Sequence, residues 1–127
     1  MDQTVLVGME VEQGAEILRI LDEAGLRVKV ALWALLGEYT LWRLVLASRR
    51  FDESGAMEGH GLTNDALRAA GFPVENKPPV LILPTNDPFI KALRGYFGKA
   101  KSVKGMRLGG QQIGNRWVED GYVYRIS

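Results

Sequence analysis

Two apolar runs decide how this chain folds: Arg27-Val28-Lys29-Val30-Ala31-Leu32-Trp33-Ala34-Leu35-Leu36 and Leu41-Trp42-Arg43-Leu44-Val45-Leu46-Ala47-Ser48-Arg49, joined by Gly37-Glu38-Tyr39-Thr40. Both are rich in residues that favour an extended backbone. A two-residue turn with Gly37 first fits a type II′ hairpin, because glycine takes the left-handed φ that this position requires. In that register Trp33 faces Trp42, Val30 faces Val45 and Ala31 faces Leu44. Val28, Val30, Leu32, Ala34 and Leu36 then point to one side and Ala31, Trp33 and Leu35 to the other. Leu44 and Leu46 share the side of Trp42, and Leu41 and Val45 take the opposite one. Strands with two apolar sides must be covered on both. The pattern predicts a central hairpin sandwiched by helices or by a partner chain.

Working outward, apolar residues at Val11, Ala15, Leu18, Leu21 and Ala24 recur at helical spacing, with Gly25 as the stop. Val5–Val7 is an apolar run too short to assign. After the hairpin, residues 52–61 read as a polar, glycine-containing loop. A short helix over 63–70 is expected, capped by Thr63 or Asn64 and stopped by Gly71. Val80–Leu83 reads as a short buried strand. Asp87 and Pro88 mark the start of a helix that runs to Phe97 and ends at Gly98. Met106–Ile113 and Arg116–Ile126, joined by Gly114-Asn115, form a second hairpin, with Tyr122, Tyr124 and Ile126 on one face and a bulge expected at Gly121. The expected fold is a single α+β domain, residues 1–127. Its sheet, antiparallel or mixed, is built on a central hairpin (about 27–36/41–49) and a C-terminal hairpin (about 106–113/116–126), with about three helices.

Bulk composition fits this. At 127 residues, 46% apolar and 24% charged, the chain has the size and composition of one globular domain. It has no cysteine, which excludes disulfides and thiolate sites and favours a reducing compartment. No apolar run approaches the ~20 residues that cross a bilayer, and Met1-Asp2-Gln3 lacks the basic start of a signal peptide. A soluble, cytoplasmic protein with no membrane role is expected.

The net charge of +1 hides a split. Residues 1–26 hold Asp2, Glu10, Glu12, Glu16, Asp22 and Glu23 against Arg19 alone, whereas residues 88–118 contain no acid. Such a split serves anion binding, or lets the two ends attract each other within or between molecules. The basic segment supplies the main candidate site: Lys91, Arg94, Lys99, Lys101, Lys104 and Arg107, interleaved with Gly98, Gly105, Gly109 and Gly110. Exposed amides beside ammonium groups suit phosphate, and Tyr96 and Phe97 could stack a base. The ordinary reading of such a run is a solvated surface. Gly98-Lys99-Ala100-Lys101-Ser102 follows a helix, not a strand, and is no P-loop.

Three weaker constellations of charged residues lie elsewhere in the chain. Asp52, Glu53, Glu58 and His60 have the chemistry of a metal or general-base site, but their spacing matches no ligand pattern. Glu75-Asn76-Lys77 spells part of a nuclease motif that needs a strand, which Pro73, Pro78 and Pro79 oppose. Glu119 and Asp120 are strand neighbours and point to opposite faces unless a bulge intervenes. One histidine and no cysteine leave little for nucleophilic catalysis, and no cofactor is indicated. The function expected is a non-enzymatic, intracellular interaction module that self-associates or joins a protein partner, with Trp33 and Trp42 as core or interface anchors. A nucleic-acid or phosphate-ligand binder using segment 91–107 is the alternative, and a small metal-dependent hydrolase or nuclease the third reading.

Overall fold

The computed structural model describes residues 8–100 and 102–127, so Val5–Val7 and Lys101 lie outside the described residues. The chain forms α1 (Gly8–Glu23), β1 (Val30–Leu36), β2 (Arg43–Ala47), α2 (Arg49–Ser54), α3 (Ala56–Ala69), a 3-10 turn (Val74–Asn76), β3 (Val80–Ile82), α4 (Pro88–Phe97), β4 (Arg107–Ile113) and β5 (Arg116–Ile126). The five strands make one mixed sheet in the order β3-β2-β1-β5-β4. β3 runs parallel to β2, and every other pairing is antiparallel. This is the expected single α+β domain on two hairpins.

The two-sided hairpin is the centre of the sheet, and all seven residues of β1 are buried. Ala31, Trp33, Leu35, Trp42, Leu44 and Leu46 pack with Ile17, Leu18 and Leu21 of α1, Phe51 of α2 and Leu67 of α3. On the other side, Val30, Leu32, Ala34, Leu36, Val45 and Ala47 meet Phe89, Ile90 and Leu93 of α4 and Val103. Both sides of the hairpin are therefore covered from within the chain.

The register differs from the expected one by two residues. Trp33 faces Leu44 and Val30 faces Ala47, so Trp33 and Trp42 are not a cross-strand pair. Because side chains alternate with period two, a slip of two leaves the paired residues on their expected faces; Val28, expected beside Val30, precedes β1 and packs instead on the Trp33 side. Gly37 and Glu38 do form a hydrogen-bonded turn, with the Tyr39 amide donating to the Leu36 carbonyl at 3.0 Å. Gly37 has no left-handed φ, however, so the turn is not type II′. The strands rejoin only at Ala34 and Arg43. The wider loop lets Glu38 pair with Arg116 and sets the Arg43 guanidinium over the Tyr39 ring, 4.1 Å from its centre.

The region read as a polar loop over 52–61 is helical. Ser48 caps α2, and α3 starts at Ala56, well before Thr63. Glycine patterning misleads there, because Gly59 serves packing: a Cβ on it would lie 3.1 Å from Phe51 and 3.2 Å from Ile82. Thr63 caps nothing; buried in mid-helix, its hydroxyl donates to the Gly59 carbonyl four residues back. The described residues thus hold four α-helices, one more than expected. The other helix ends follow the sequence. Gly25, at φ 79°, closes α1 with bonds from Leu26 to Leu21 and from Gly25 to Asp22, the Schellman pattern. Asp87 caps α4 by accepting from the Phe89 amide at 2.9 Å.

In the C-terminal hairpin Gly114, at φ 58°, opens the two-residue turn between Ile113 and Arg116. The bulges do not fall at Gly121, which pairs regularly with Ala34 and Leu108. They fall at Glu119 and Tyr124, where the register against β1 shifts. The second bulge turns both Tyr124 and Arg125 toward α1 and sends Ile126 to the other face, away from Tyr122 and Tyr124. Tyr124 then seats α1. The Trp33 indole donates to the Tyr124 hydroxyl at 3.0 Å and to the Glu10 carbonyl at 3.2 Å, and that hydroxyl donates to the Val11 carbonyl. Burial, the dominant cause, pushes the Tyr124 pKa up to about 12. Gly14 passes directly over this pair, and a Cβ there would lie 2.7 Å from the Trp33 indole nitrogen. Gly14→Ala should destabilise the fold by about 2–3 kcal/mol through overpacking and loss of the hydroxyl–indole bond. Gly61→Ala, on an open face of α3, should add about 0.5–1 kcal/mol. Urea unfolding of both variants tests this, and equal midpoints would contradict the seating of α1.

Candidate functional site

Of the basic segment, the described residues Lys91, Arg94, Lys99, Lys104 and Arg107 are spread over more than one part of the surface, and Lys101 lies outside the described residues. Lys91, Arg94 and Lys99 lie on or just after α4, which covers one face of the sheet. Arg107 sits over the Tyr122 ring and binds Asp120 at 2.8 Å, and Tyr122 packs with the cluster on the opposite face. Lys104 lines a concavity beside α1 with Asp22, Glu23, Tyr124 and Arg125. There the acidic face of α1 meets basic residues of its own molecule, and Arg125 grips Asp22 at 2.8 and 3.0 Å. Tyr96 is exposed and stands edge-on to Phe97.

The acidic candidates also separate. Asp52 clamps the loop before α4, accepting from the Thr85 amide at 3.0 Å and the Thr85 hydroxyl at 2.5 Å. Among the described residues, no three His, Asp or Glu side chains gather in a way that could hold a metal ion. Glu75 and Lys77 lie in and after the 3-10 turn, not on a strand. Asp120 is occupied by Arg107, and Glu119 stands apart at its bulge. Trp33 and Trp42 are 1% and 5% exposed, which places them in the core and not at a surface.

A different set of charges does come together. Gly25, Arg27, Val28, Lys29, Arg49, Arg50 and Glu53 line a cleft of about 480 Å³ at the end of the central hairpin. The pairing that ends at Val30 and Ala47 brings the segments just outside it, 27–29 and 48–50, side by side, with the Lys29 amide donating to the Ala47 carbonyl at 2.8 Å. Ser48 ties the two together. Fully buried, its hydroxyl donates to the Leu26 carbonyl at 2.8 Å and accepts from the Arg50 and Phe51 amides at 3.0 and 3.3 Å. Arg27, Arg49 and Arg50 are exposed, and Lys29 is partly so.

These cations are gathered at one concavity, whereas Lys77, Lys91, Arg94 and Lys99, which also have no described carboxylate within 4.0 Å, do not line it. Arg19, Arg68, Arg107, Arg116 and Arg125 each reach a carboxylate, and Arg43 covers a ring. Arg27, Lys29, Arg49 and Arg50 have no described carboxylate within 4.0 Å, although Glu53 lines the same cleft. Four like charges around one concavity raise the local potential and concentrate anions. The backbone also carries a cost here: Arg27 is the one described residue other than glycine with a positive φ, 50°.

The sequence contained a signal for this site. Basic residues stand at the two outer ends of an apolar hairpin, Arg27 and Lys29 before it and Arg49 and Arg50 after it. Antiparallel pairing must bring such ends together. Compared with family models, with curated proteins and with solved structures, the chain matches none.

Two predictions follow from these placements. Ser48→Ala removes a buried cap and leaves the Leu26 carbonyl unpaired, which should cost about 1–2 kcal/mol in urea unfolding. An unchanged midpoint would show that Ser48 does not tie the segments. His60, on α3, is held below its ordinary 6.5 first by burial and then by Lys77. The folded chain disfavours the imidazolium relative to the unfolded chain, so stability is full above 6.5 and falls as pH drops through that value and below. From pH 7.5 to 5.5 the parent should lose more thermal stability than His60→Asn; identical losses would exclude this coupling.

Proposed function

We propose that this chain is a non-enzymatic, cytoplasmic interaction module that binds the phosphate backbone of a nucleic acid at the Arg27–Lys29–Arg49–Arg50 cleft. One observation carries the reading: these four cations line one concavity and none of them has a described ion-pair partner. The cleft is lined by long, exposed side chains, which suits a repeating backbone better than a single small anion. The lack of cysteine supports a reducing compartment, and no described helix is long and apolar enough to cross a membrane. A self-associating module was expected because the hairpin needed cover that three helices could not supply. With four helices on its two sides, that reason for a second copy falls away.

Binding of a 12-nucleotide single strand, followed by fluorescence anisotropy, should weaken steeply with salt. With four phosphates neutralised, log K should fall against log salt with a slope of about −3. Reversing Arg49 and Arg50 to Glu should abolish binding, whereas reversing Lys99 and Lys104 should leave most of it. If the parent does not bind at ~50 mM salt, where such contacts are strongest, the proposal fails.

A further inference from the structure

Glu53 does not fit a cleft made only for phosphate. It lines the same concavity as the four cations, is exposed, and has no described cation within 4.0 Å. An ionised carboxylate only accepts hydrogen bonds, and beside a phosphate it repels. A ligand that offered nothing but phosphate oxygens would bind better without it. The cleft therefore suits a ligand that carries a hydrogen-bond donor next to its phosphates.

Building on the nucleic-acid reading of this cleft, we infer that the ligand is ribonucleic acid, with Glu53 accepting from a ribose 2′-hydroxyl while the four cations hold the flanking phosphates. The 2′-hydroxyl is the donor that RNA sets beside every internal phosphate and DNA lacks. It also distinguishes the two at a site without an aromatic platform, since no ring lines the cleft. Base N–H groups, exocyclic and ring imino alike, are the other donors within reach of a single-stranded site, so the two probes must carry the same base.

Uridine 12-mers meet that need, because uracil has no exocyclic amine and its N3–H is common to both oligomers. The oligoribonucleotide and the oligodeoxyribonucleotide of uridine, differing only at the 2′ position, are titrated against the folded chain and against Glu53→Ala. Glu53 is exposed and makes no described side-chain bond, so the variant should fold, as circular dichroism will check. The parent should prefer the ribo-oligomer by roughly 10–150-fold, the worth of one hydrogen bond to a charged acceptor. Glu53→Ala should bind the deoxy-oligomer more tightly than the parent does and lose most of the preference. Equal binding of the two oligomers by the parent, or a preference that survives Glu53→Ala, would overturn the inference while leaving the nucleic-acid reading intact. Absence of binding to both would remove that reading and this inference together.

Discussion

Strand β1 has no charged side chain along its seven residues, and the Trp33 indole is its one polar group; the rest of the structure follows from that constraint. A strand apolar on both sides can sit only at the centre of a sheet, with helices on each face. β2 and β5 flank it, α1, α2 and α3 take one side, and α4 takes the other. The same constraint decides where charge can go. With the interior of the hairpin closed to them, Arg27, Lys29, Arg49 and Arg50 stand at its open end, where the sheet meets solvent. Charge at this end of the hairpin is thus confined to the segments just outside the buried strands.

Two small groups convert that placement into a defined site. Ser48 joins the end of β2 to the start of α2 and to the α1–β1 loop, so the two basic segments are held by one buried hydroxyl. On the far side of the same helix layer, Tyr124 and Trp33 fix α1 through a shared hydrogen bond, and Gly14 gives them room. The bulge at Tyr124 lets Arg125 turn the same way and reach Asp22, so one irregularity in β5 supplies both the polar seat and the ion pair of α1.

The architecture was readable from periodicity because the hairpin, α1, α4 and the C-terminal hairpin each carry strong local signals. Period-two alternation identified the two faces even with the register off by two, since that error leaves each paired side chain on its own face. The region 52–61 was misread because Gly55, Gly59 and Gly61 look like loop residues. Gly55 does separate two helices, but Gly59 lets α3 approach Phe51 and Ile82. The bulges at Glu119 and Tyr124 leave no local mark, since they arise from pairing with β1. The candidate site was missed for a related reason. Segment 91–107 is dense in charge along the chain but divided between two faces in space, whereas the cleft gathers residues more than twenty positions apart. Charge dense along the chain is thus spread in space here, while the mirrored ends of the hairpin are brought together.

The left-handed backbone at Arg27 has a further meaning. A side chain with a Cβ costs roughly 1–2 kcal/mol of steric strain in that conformation, which glycine avoids while losing more backbone entropy on folding. The folded chain is therefore less stable than its own backbone path allows, by roughly the amount that separates arginine from glycine at this one position. That deficit is the penalty for displaying a guanidinium at a corner the peptide chain would rather leave bare.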